Sequence, residues 1–417
     1  MPRIHRGRRV AALACAAVVA FALAACAPEA SVSLDVPTQV QADLAGDTQA
    51  QLQSAVDRAV AASGATGAVV GVWAPWAGTW LAGRGTVAPG GADVTASATF
   101  KAGAVTRAMT CDVLYALVKD GTVTLDDSIT TYVPGLPGHE AITLGDLCDS
   151  TSGLASYTPA VSGRLFANPE RVWNPRELAS YGVAASAGTQ PGTTFADSDT
   201  GYVLLGIALE HATNRSAEDL LEQYVFTPAG MTESALPTDA SVALSGLYSA
   251  NTAEGAVACA EPVDMTDLSP SAGSTASGVT SDLEDLGRYT QALATGARPY
   301  DTDARFENPL PAAADAPSWF TAAGGTYQAG TLIGQYGSIP GYLTAAFADR
   351  NTGMTVVVVL NNSRAADTLV RSLAWQLAAI ASKAPAASGE TAPDAGLPWT
   401  AEDMGAQVTA AAVCPIP

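Results

Sequence analysis

Two neighbouring stretches decide the fold: Lys119–Leu136 reads KDGTVTLDDSITTYVPGL, and Ile142–Leu154 reads ITLGDLCDSTSGL. The apolar residues of Ala102–Asp120 recur at helical spacing and stop at a glycine, which predicts a long helix that ends where the first stretch begins. In the second stretch Thr143 precedes an apolar run, so we expect it to be the N-cap of a short helix over Leu144–Asp149. Both stretches are therefore predicted to come after the same long helix, the first at its end and the second further along the chain.

The segments on either side predict strands near both ends of the chain and helices between them. Helical spacing predicts helices over 47–62, 200–213, 216–225, 282–293 (with Ser281 as N-cap) and 366–382. Runs rich in β-branched and aromatic residues predict strands over 68–74, 78–87, 327–333, 342–348 and 354–360. We therefore expect an α/β (α+β) fold in which strands from both ends share one antiparallel sheet beside a helical lobe.

The composition indicates a folded, acidic protein. Of the 417 residues, 48% are hydrophobic, which is enough to form a sizeable core. There are 40 acidic and 20 basic side chains, giving a formal net charge of -20. This charge argues against nucleic acid or an anionic lipid surface as the main partner.

Residues 1–25 have the layout of a secretory signal peptide. Arginines within residues 3–9 precede an apolar run over residues 10–22. The following Leu-Ala-Ala-Cys26 resembles the lipobox of bacterial lipoproteins, in which the cysteine carries the lipid. Ordinary cleavage after Ala24 is the alternative. The apolar run is shorter than the ~20 residues that span a bilayer, so we expect a lipid anchor rather than a membrane-spanning helix.

The remaining chain is predicted to contain one folded domain. Residues 26–46 are expected to form a flexible tether, residues 47–383 the domain, and residues 384–417 an Ala/Pro-rich tail that is partly disordered unless Cys414 pins it. In an exported protein, the four cysteines of this region predict two disulfides, with three pairings open. Four free thiols are the alternative. The cysteine spacing matches no zinc motif, and no metal or cofactor is expected.

Six segments together resemble the serine β-lactamase and penicillin-binding-protein superfamily. The branch is that of class C β-lactamases, DD-carboxypeptidases and related esterases, and the similarity covers roughly residues 48–382. The resemblance implies a β-lactamase/DD-peptidase-like fold, with N- and C-terminal helices flanking the antiparallel sheet. The segments are Phe100–Met109, Lys119–Leu136, Ile142–Leu154, Pro191–Gly206, Thr227–Met231 and Gly334–Tyr342.

The same resemblance places the family's catalytic motifs on residues that differ from them. The family uses Ser-x-x-Lys, Tyr-x-Asn and His/Lys-Thr-Gly to acylate and deacylate a serine. The nucleophile position is Ala104, which has no nucleophilic atom, and the base position is Arg107, whose guanidinium stays protonated. We therefore expect no catalytic residue among these vestigial positions: Ala104, Arg107, Asp197, Asp199, Gln335 and Gly337, with Ser150 at a position where the family has histidine.

These replacements predict a binding site rather than a catalytic one. We expect Arg107 to pair with Asp197, Asp199 or both and to fill the former pocket. The backbone N–H groups of Ala104 and Ser338 are expected to keep the shape of an oxyanion hole. A peptidoglycan peptide or a small carboxylate is the ligand that the resemblance suggests.

Two functions thus remain open from the sequence. The first is a lipid-anchored, non-catalytic binding or structural protein of the cell envelope. The second is a hydrolase with a repurposed site, in which Asp197 or Asp199 handles protons. A Ser-His-Asp triad is not expected, because His139 and His211 stand in surface-type segments.

Overall fold

The computed structural model of the chain describes residue 2 and residues 33–186, 190–239, 241–394 and 396–416. Cys26 and the predicted signal peptide, apart from residue 2, lie outside these residues. The helices are α1 (Gly46–Ser63), α2 (Thr106–Lys119), α3 (Ile129–Tyr132), α4 (Leu144–Cys148), α5 (Thr158–Ala167), α6 (Pro175–Ala185), α7 (Asp199–Thr213), α8 (Ala217–Leu221), α9 (Thr227–Ala229), α10 (Ser274–Ser277), α11 (Leu283–Ala294), α12 (Thr302–Arg305), α13 (Asp367–Ala381) and α14 (Ala401–Ala410). The strands are β1 (Gly67–Ala74), β2 (Gly78–Gly85), β3 (Phe100–Lys101), β4 (Leu247–Tyr248), β5 (Val263–Asp264), β6 (Thr280–Ser281), β7 (Leu310–Pro311), β8 (Phe320–Ala323), β9 (Thr326–Ala329), β10 (Leu332–Ile339), β11 (Tyr342–Asp349) and β12 (Thr355–Leu360).

An eight-stranded antiparallel sheet joins the two ends of the chain, in the order β2-β1-β12-β11-β10-β9-β8-β7. Strand β1 pairs with β12 in the register Val70 opposite Val358. This confirms that strands from both ends share one sheet. Among the described residues, no helix is long and apolar enough to cross a membrane.

The side chains of the sheet alternate between two cores. In β12, Val356 and Val358 pack with α1 and α13, whereas Val357 and Val359 belong to the core of the helical region. Because successive strand residues point to opposite faces, one short valine run contributes to both cores. Helices α1, α13 and α14 thus flank one face of the sheet, and α11 packs on the other.

The start of α2 is held against the end of β10. A short 3-10 turn over Gly103–Val105 leads directly into α2, and Gly103 has φ 56°, which favours glycine. A Cβ added to Gly337 of β10 would lie 2.5 Å from the Cβ of Ala104. The two elements therefore meet at a distance that only a glycine allows, and this contact positions the candidate site.

Two local sequence predictions were wrong. The N-cap of α11 is Asp282, not Ser281, because Ser281 pairs in β6 with Phe100 while the Asp282 carboxylate accepts from the N–H of Asp285. The single strand predicted over 327–333 is two strands, β9 and β10. They separate at Gly330, whose φ of 58° turns the chain.

The C-terminal segment follows the alternative in which Cys414 pins the tail, and it contains a helix that the sequence did not predict. Residues 401–410 form α14, whose N-cap Thr400 makes a capping box with Asp403. Trp399 is buried and stacks on Trp375 of α13 at 4.9 Å between ring centroids. This aromatic contact, which residue composition does not reveal, fixes the segment to the sheet domain.

The four cysteines form two disulfides, Cys111–Cys148 and Cys259–Cys414. The first joins α2 to the end of α4. The second joins the loop after β4 to the C-terminal segment. The structure thus selects one of the three pairings that the sequence left open.

Candidate functional site

A cavity of about 370 Å³ opens where the starts of α2, α7 and α13 meet the end of β10. Four charged residues line it: Arg107, Asp197, Asp199 and Asp367. Three of the four were candidates from the sequence, and the structure brings them together across about 90 residues of chain.

Arg107 bridges two carboxylates. Its Nη1 lies 2.5 Å from Asp197 Oδ1, and its Nη2 lies 2.5 Å from Asp199 Oδ1. The Arg107 side chain is 7% exposed, against 45% for Asp197 and 18% for Asp199. Arg107 therefore pairs with both carboxylates, as expected from the sequence, and its pair with Asp199 is largely shielded from water.

Asp199 is the more deeply held of the two carboxylates. Its Oδ2 accepts hydrogen bonds from the hydroxyls of Ser156 at 2.5 Å and Thr158 at 2.6 Å. Burial alone would raise the pKa of Asp199, but Arg107 and the two hydroxyls hold that pKa below its ordinary value. Asp199 is thus ionised at neutral pH. Ser156 and Thr158 were not singled out from the sequence, because they lie just before and at the start of α5, a helix that was not predicted.

Helix α7 adds to this stabilisation. Asp199 is its first residue, and the preceding Ser198 is the N-cap, accepting from the N–H of Gly201. A carboxylate in the first turn of a helix interacts favourably with the positive end of the helix dipole. In the Asp-Ser-Asp sequence, the N-cap Ser198 therefore lies between the two aspartates that form ion pairs with Arg107.

The end of β10 supplies a hydroxyl and a close backbone contact. Ser338 lines the cavity, while Ala104 is buried against Gly337 and lies outside the lining. Gln335 also lies outside it: its side-chain amide donates to the carbonyl oxygen of Gly325 at 2.9 Å. Of the six positions predicted to be vestigial, only Arg107 and the two aspartates thus line the cavity.

Asp367, the first residue of α13, is a site residue that the sequence analysis missed. Its partial burial raises the pKa of the carboxyl, a hydrogen bond from Ser338 and the charge of Arg107 oppose this, and Asp197 and Asp199 add to it. An acidic residue at the start of the last predicted helix was the available signal. That signal says nothing about the cavity, because Asp367 reaches it only through the packing of α13 on the sheet.

Comparison with known proteins gives this arrangement its family. The β-lactamase family model matches residues 52–381, which is most of the chain. The chain belongs to the β-lactamase family. Penicillin-binding protein 4 of Amycolatopsis lactamdurans is 30% identical over 199 residues, 45% of this chain and 47% of that protein. D-alanyl-D-alanine-carboxypeptidase/endopeptidase AmpH of Escherichia coli (strain K12) is 33% identical over 135 residues, 30% of this chain and 34% of that protein. The matches thus span half or less of these curated relatives.

Solved structures show the same fold. A D-stereospecific amidohydrolase from Streptomyces sp. superposes with a TM-score of 0.68 at 23% identity, covering 78% of this chain and 98% of that one. The octameric penicillin-binding protein homologue from Pyrococcus abyssi gives a TM-score of 0.67 at 20% identity, covering 80% and 77% of the two chains. The β-lactamase/DD-peptidase-like fold expected from the six segments is confirmed.

In this β-lactamase-family chain an aromatic ring outside the cavity lining supports Arg107. Tyr202 of α7 lies under Arg107, with the guanidinium carbon 5.2 Å from the ring centroid. Its hydroxyl donates to the carbonyl oxygen of Cys148 at 3.0 Å and lies 2.9 Å from the Ser150 hydroxyl. Burial raises the pKa of Tyr202, so this phenol is neutral. Ser150 therefore takes part in a buried hydrogen-bond network and lies outside the cavity lining.

The mouth of the cavity is aromatic. Phe166 and Tyr248 line it, with ring centroids 4.6 Å apart, and Phe166 is a large apolar side chain that remains exposed. Neither His139 nor His211 lies in the lining. Within the described part of the chain, no group of three or more histidine, cysteine, aspartate or glutamate residues is arranged to hold a metal ion.

Proposed function

We propose that this chain is a non-catalytic binding protein of the cell envelope, held there by a lipid on Cys26, with the cavity as its ligand site. One observation carries this proposal: the two positions that the resemblance assigns to the family's nucleophile and base hold a buried alanine and an arginine bound to two carboxylates. Neither can perform acyl transfer, since Ala104 offers no nucleophile and Arg107 cannot accept a proton.

The other polar groups of the cavity support the same conclusion. The hydroxyls of Ser156 and Ser338 are engaged with the carboxylates of Asp199 and Asp367. A serine nucleophile needs a base that takes its proton, usually histidine or lysine. The described lining residues include no histidine, lysine or cysteine. A peptide-like ligand would therefore be held and not cleaved.

The proposed location rests on two features. Two disulfides are typical of proteins that fold in an oxidising, extracytoplasmic compartment. The Leu-Ala-Ala-Cys26 sequence supplies the lipid anchor. The names of relatives, among them penicillin-binding proteins and a D-alanyl-D-alanine-carboxypeptidase/endopeptidase, point to peptidoglycan peptides as the ligand class.

The relatives' names also favour a second candidate, a hydrolase with a repurposed site. Such an enzyme would use Asp197 or Asp199 to handle protons. Its turnover should disappear in Asp197→Asn or Asp199→Asn. Ligand-induced stabilisation without turnover would favour the binding protein.

The test is the intact mass of the full-length chain, purified in detergent, after incubation with a fluorescent penicillin and with a fluorophosphonate. The matched control carries Ala104→Ser, Arg107→Lys, Asp197→Tyr and Asp199→Asn, which returns the residues of the first two family motifs. We expect an adduct on the control and none on the natural chain. A stoichiometric adduct on the natural chain would overturn the proposal, and the labelled peptide would identify the nucleophile.

A further inference from the structure

The wall of the cavity is negatively charged in spite of its arginine. Arg107 is the only cation among the described lining residues, and it faces Asp197, Asp199 and Asp367. Asp199 is compensated by Arg107 and two hydroxyls. Because Arg107 already offsets the charge of Asp199, only part of its positive charge is left to offset the two negative charges of Asp197 and Asp367.

We propose, building on the binding function above, that the cavity takes an ammonium-bearing, peptide-like ligand whose amine lies between Asp197 and Asp367. Asp197 is suited to this role, because it is the most exposed of the three carboxylates and only its Oδ1 is bonded in the described chain. Asp367 faces the same space from α13, where a hydrogen bond from Ser338 and the charge of Arg107 offset its burial only in part.

A second observation indicates a polar ligand with an acceptor. The buried Nε of Arg107 has no hydrogen-bond partner among the described residues. A buried N–H without an acceptor costs about 1–3 kcal/mol, so such groups are nearly always paired in a functioning protein. Arg107 lines the cavity, so a carbonyl oxygen next to the ligand's ammonium group would pair with this donor once the guanidinium turns it toward the ligand. An amino-acid amide, or a peptide with a free amine, carries both groups.

The aromatic mouth fits the same ligand class. Phe166 and Tyr248 offer ring surface to an apolar side chain of the ligand. A further cation, Arg364, lies over the ring of Tyr248 and donates to its hydroxyl at 3.0 Å from outside the lining. The negative end of the cavity therefore lies at Asp197 and Asp367, away from the mouth.

Under this proposal, the charge pattern disfavours one of the two ligands that the resemblance suggests. A small carboxylate would add a negative charge to a site that already has an excess of them, and its natural partner Arg107 is already bound to two aspartates. Like charges at close range disfavour such a ligand. The ligand's amine, and not its carboxylate, is then the group that the site recognises.

The experiment is calorimetric titration of the full-length chain with three phenylalanine derivatives of different charge. They are phenylalaninamide (cationic), N-acetylphenylalaninamide (neutral) and N-acetylphenylalanine (anionic), each as both enantiomers, at low and high salt. We expect phenylalaninamide to bind at least about tenfold tighter than the neutral probe, with the preference falling as salt rises. Asp197→Asn and Asp367→Asn should each reduce that preference about five- to tenfold. Asp315→Asn, an exposed acid outside the lining, is the charge-matched control and should leave it unchanged.

Three results would overturn the inference: equal or tighter binding of the anionic probe, an unchanged preference in both cavity variants, or no binding of any probe at millimolar concentration. Failure of the proposed function has a different signature. If chromatography after the titration finds phenylalanine and ammonia in place of phenylalaninamide, the chain is a hydrolase. The amine preference is then still decided by the three affinities.

Discussion

Replacing Arg107 by methionine tests the central feature of the cavity. The change keeps a long, flexible side chain of similar reach but removes the charge between Asp197 and Asp199. Two carboxylates that were bridged at 2.5 Å on each side then face one another without a cation. We expect a substantial loss of folding free energy, most of it through Asp199.

The size of this loss follows from the exposure of the two partners. Asp197 is nearly half exposed, and ion pairs with such a partner contribute about 0–1 kcal/mol. Asp199 is mostly buried, and breaking a buried pair costs about 3–5 kcal/mol. Because Asp199 keeps its bonds from Ser156 and Thr158, we expect a total near the lower limit, about 3–4 kcal/mol.

The assay is urea unfolding followed by circular dichroism, with the double variant Arg107→Met/Asp199→Asn as a cycle. The double variant should regain about 1–3 kcal/mol relative to the sum of the single changes, since it removes the uncompensated charge. The lowered pKa of Asp199 means that the pair contributes fully above the unfolded pKa of about 3.9 and loses its contribution as the pH falls through the folded pKa. The difference between natural chain and Arg107→Met should therefore shrink in acid.

A loss below about 1 kcal/mol at neutral pH, with no coupling to Asp199, would refute this reasoning. It would mean that water screens the Arg107–Asp199 pair as well as the Arg107–Asp197 pair. The guanidinium would then be a surface group, and the low exposure of Arg107 would have no energetic consequence.

Three further predictions concern the surroundings of the cavity. The pKa of Asp367 is raised in the folded chain, so its carboxyl stabilises the fold below the unfolded pKa, and this contribution is lost as the pH rises through the folded pKa. Asp367→Asn should therefore gain stability relative to the natural chain as the pH goes from acid to neutral. Urea unfolding at several pH values measures this difference. Removing the disulfide Cys259–Cys414, with sequence separation 155, should lower the free energy of unfolding by up to about 5 kcal/mol and make the C-terminal segment protease-sensitive; equal digestion rates would contradict this. Tyr202→Phe removes the hydroxyl bonded to Cys148 and should cost about 1 kcal/mol in the same unfolding assay; an unchanged midpoint would contradict the buried network.

Local patterns in the sequence predicted only part of the sheet: β1, β2, β11 and β12 were expected, β9 and β10 were expected as a single strand, and β7 and β8 were not predicted. Strands β1, β11 and β12 are continuous β-rich runs, and a run buried on both faces needs no knowledge of its partner to be recognised. Helix α14 was not predicted, because Ala401–Ala410 has few large apolar residues. Its Met404 and Val408 are buried in the core that includes α13, and Trp399, which precedes the helix, stacks on Trp375 of α13.

The residues of the candidate site were likewise only partly predictable from the sequence. Arg107, Asp197 and Asp199 could be found because six segments align the chain with a family whose site is known, and opposite charges at those positions suggested a pair. Asp367 could not be found by either route. It follows β12 and enters the cavity only because α13 packs across the sheet with its first turn beside Ser338.

If the proposed function is correct, no single replacement in this chain should return acyl transfer. A serine at position 104 would lie beside an arginine that both aspartates hold in its charged form, so no neighbour could take the hydroxyl proton. A lysine at position 107 would be held charged by the same two carboxylates, because nearby negative charge raises a lysine pKa. The nucleophile, the base and the aspartates would all have to change together. As long as Asp197, Asp199 and Asp367 remain, the charge of the cavity favours holding a cationic ligand over activating a nucleophile.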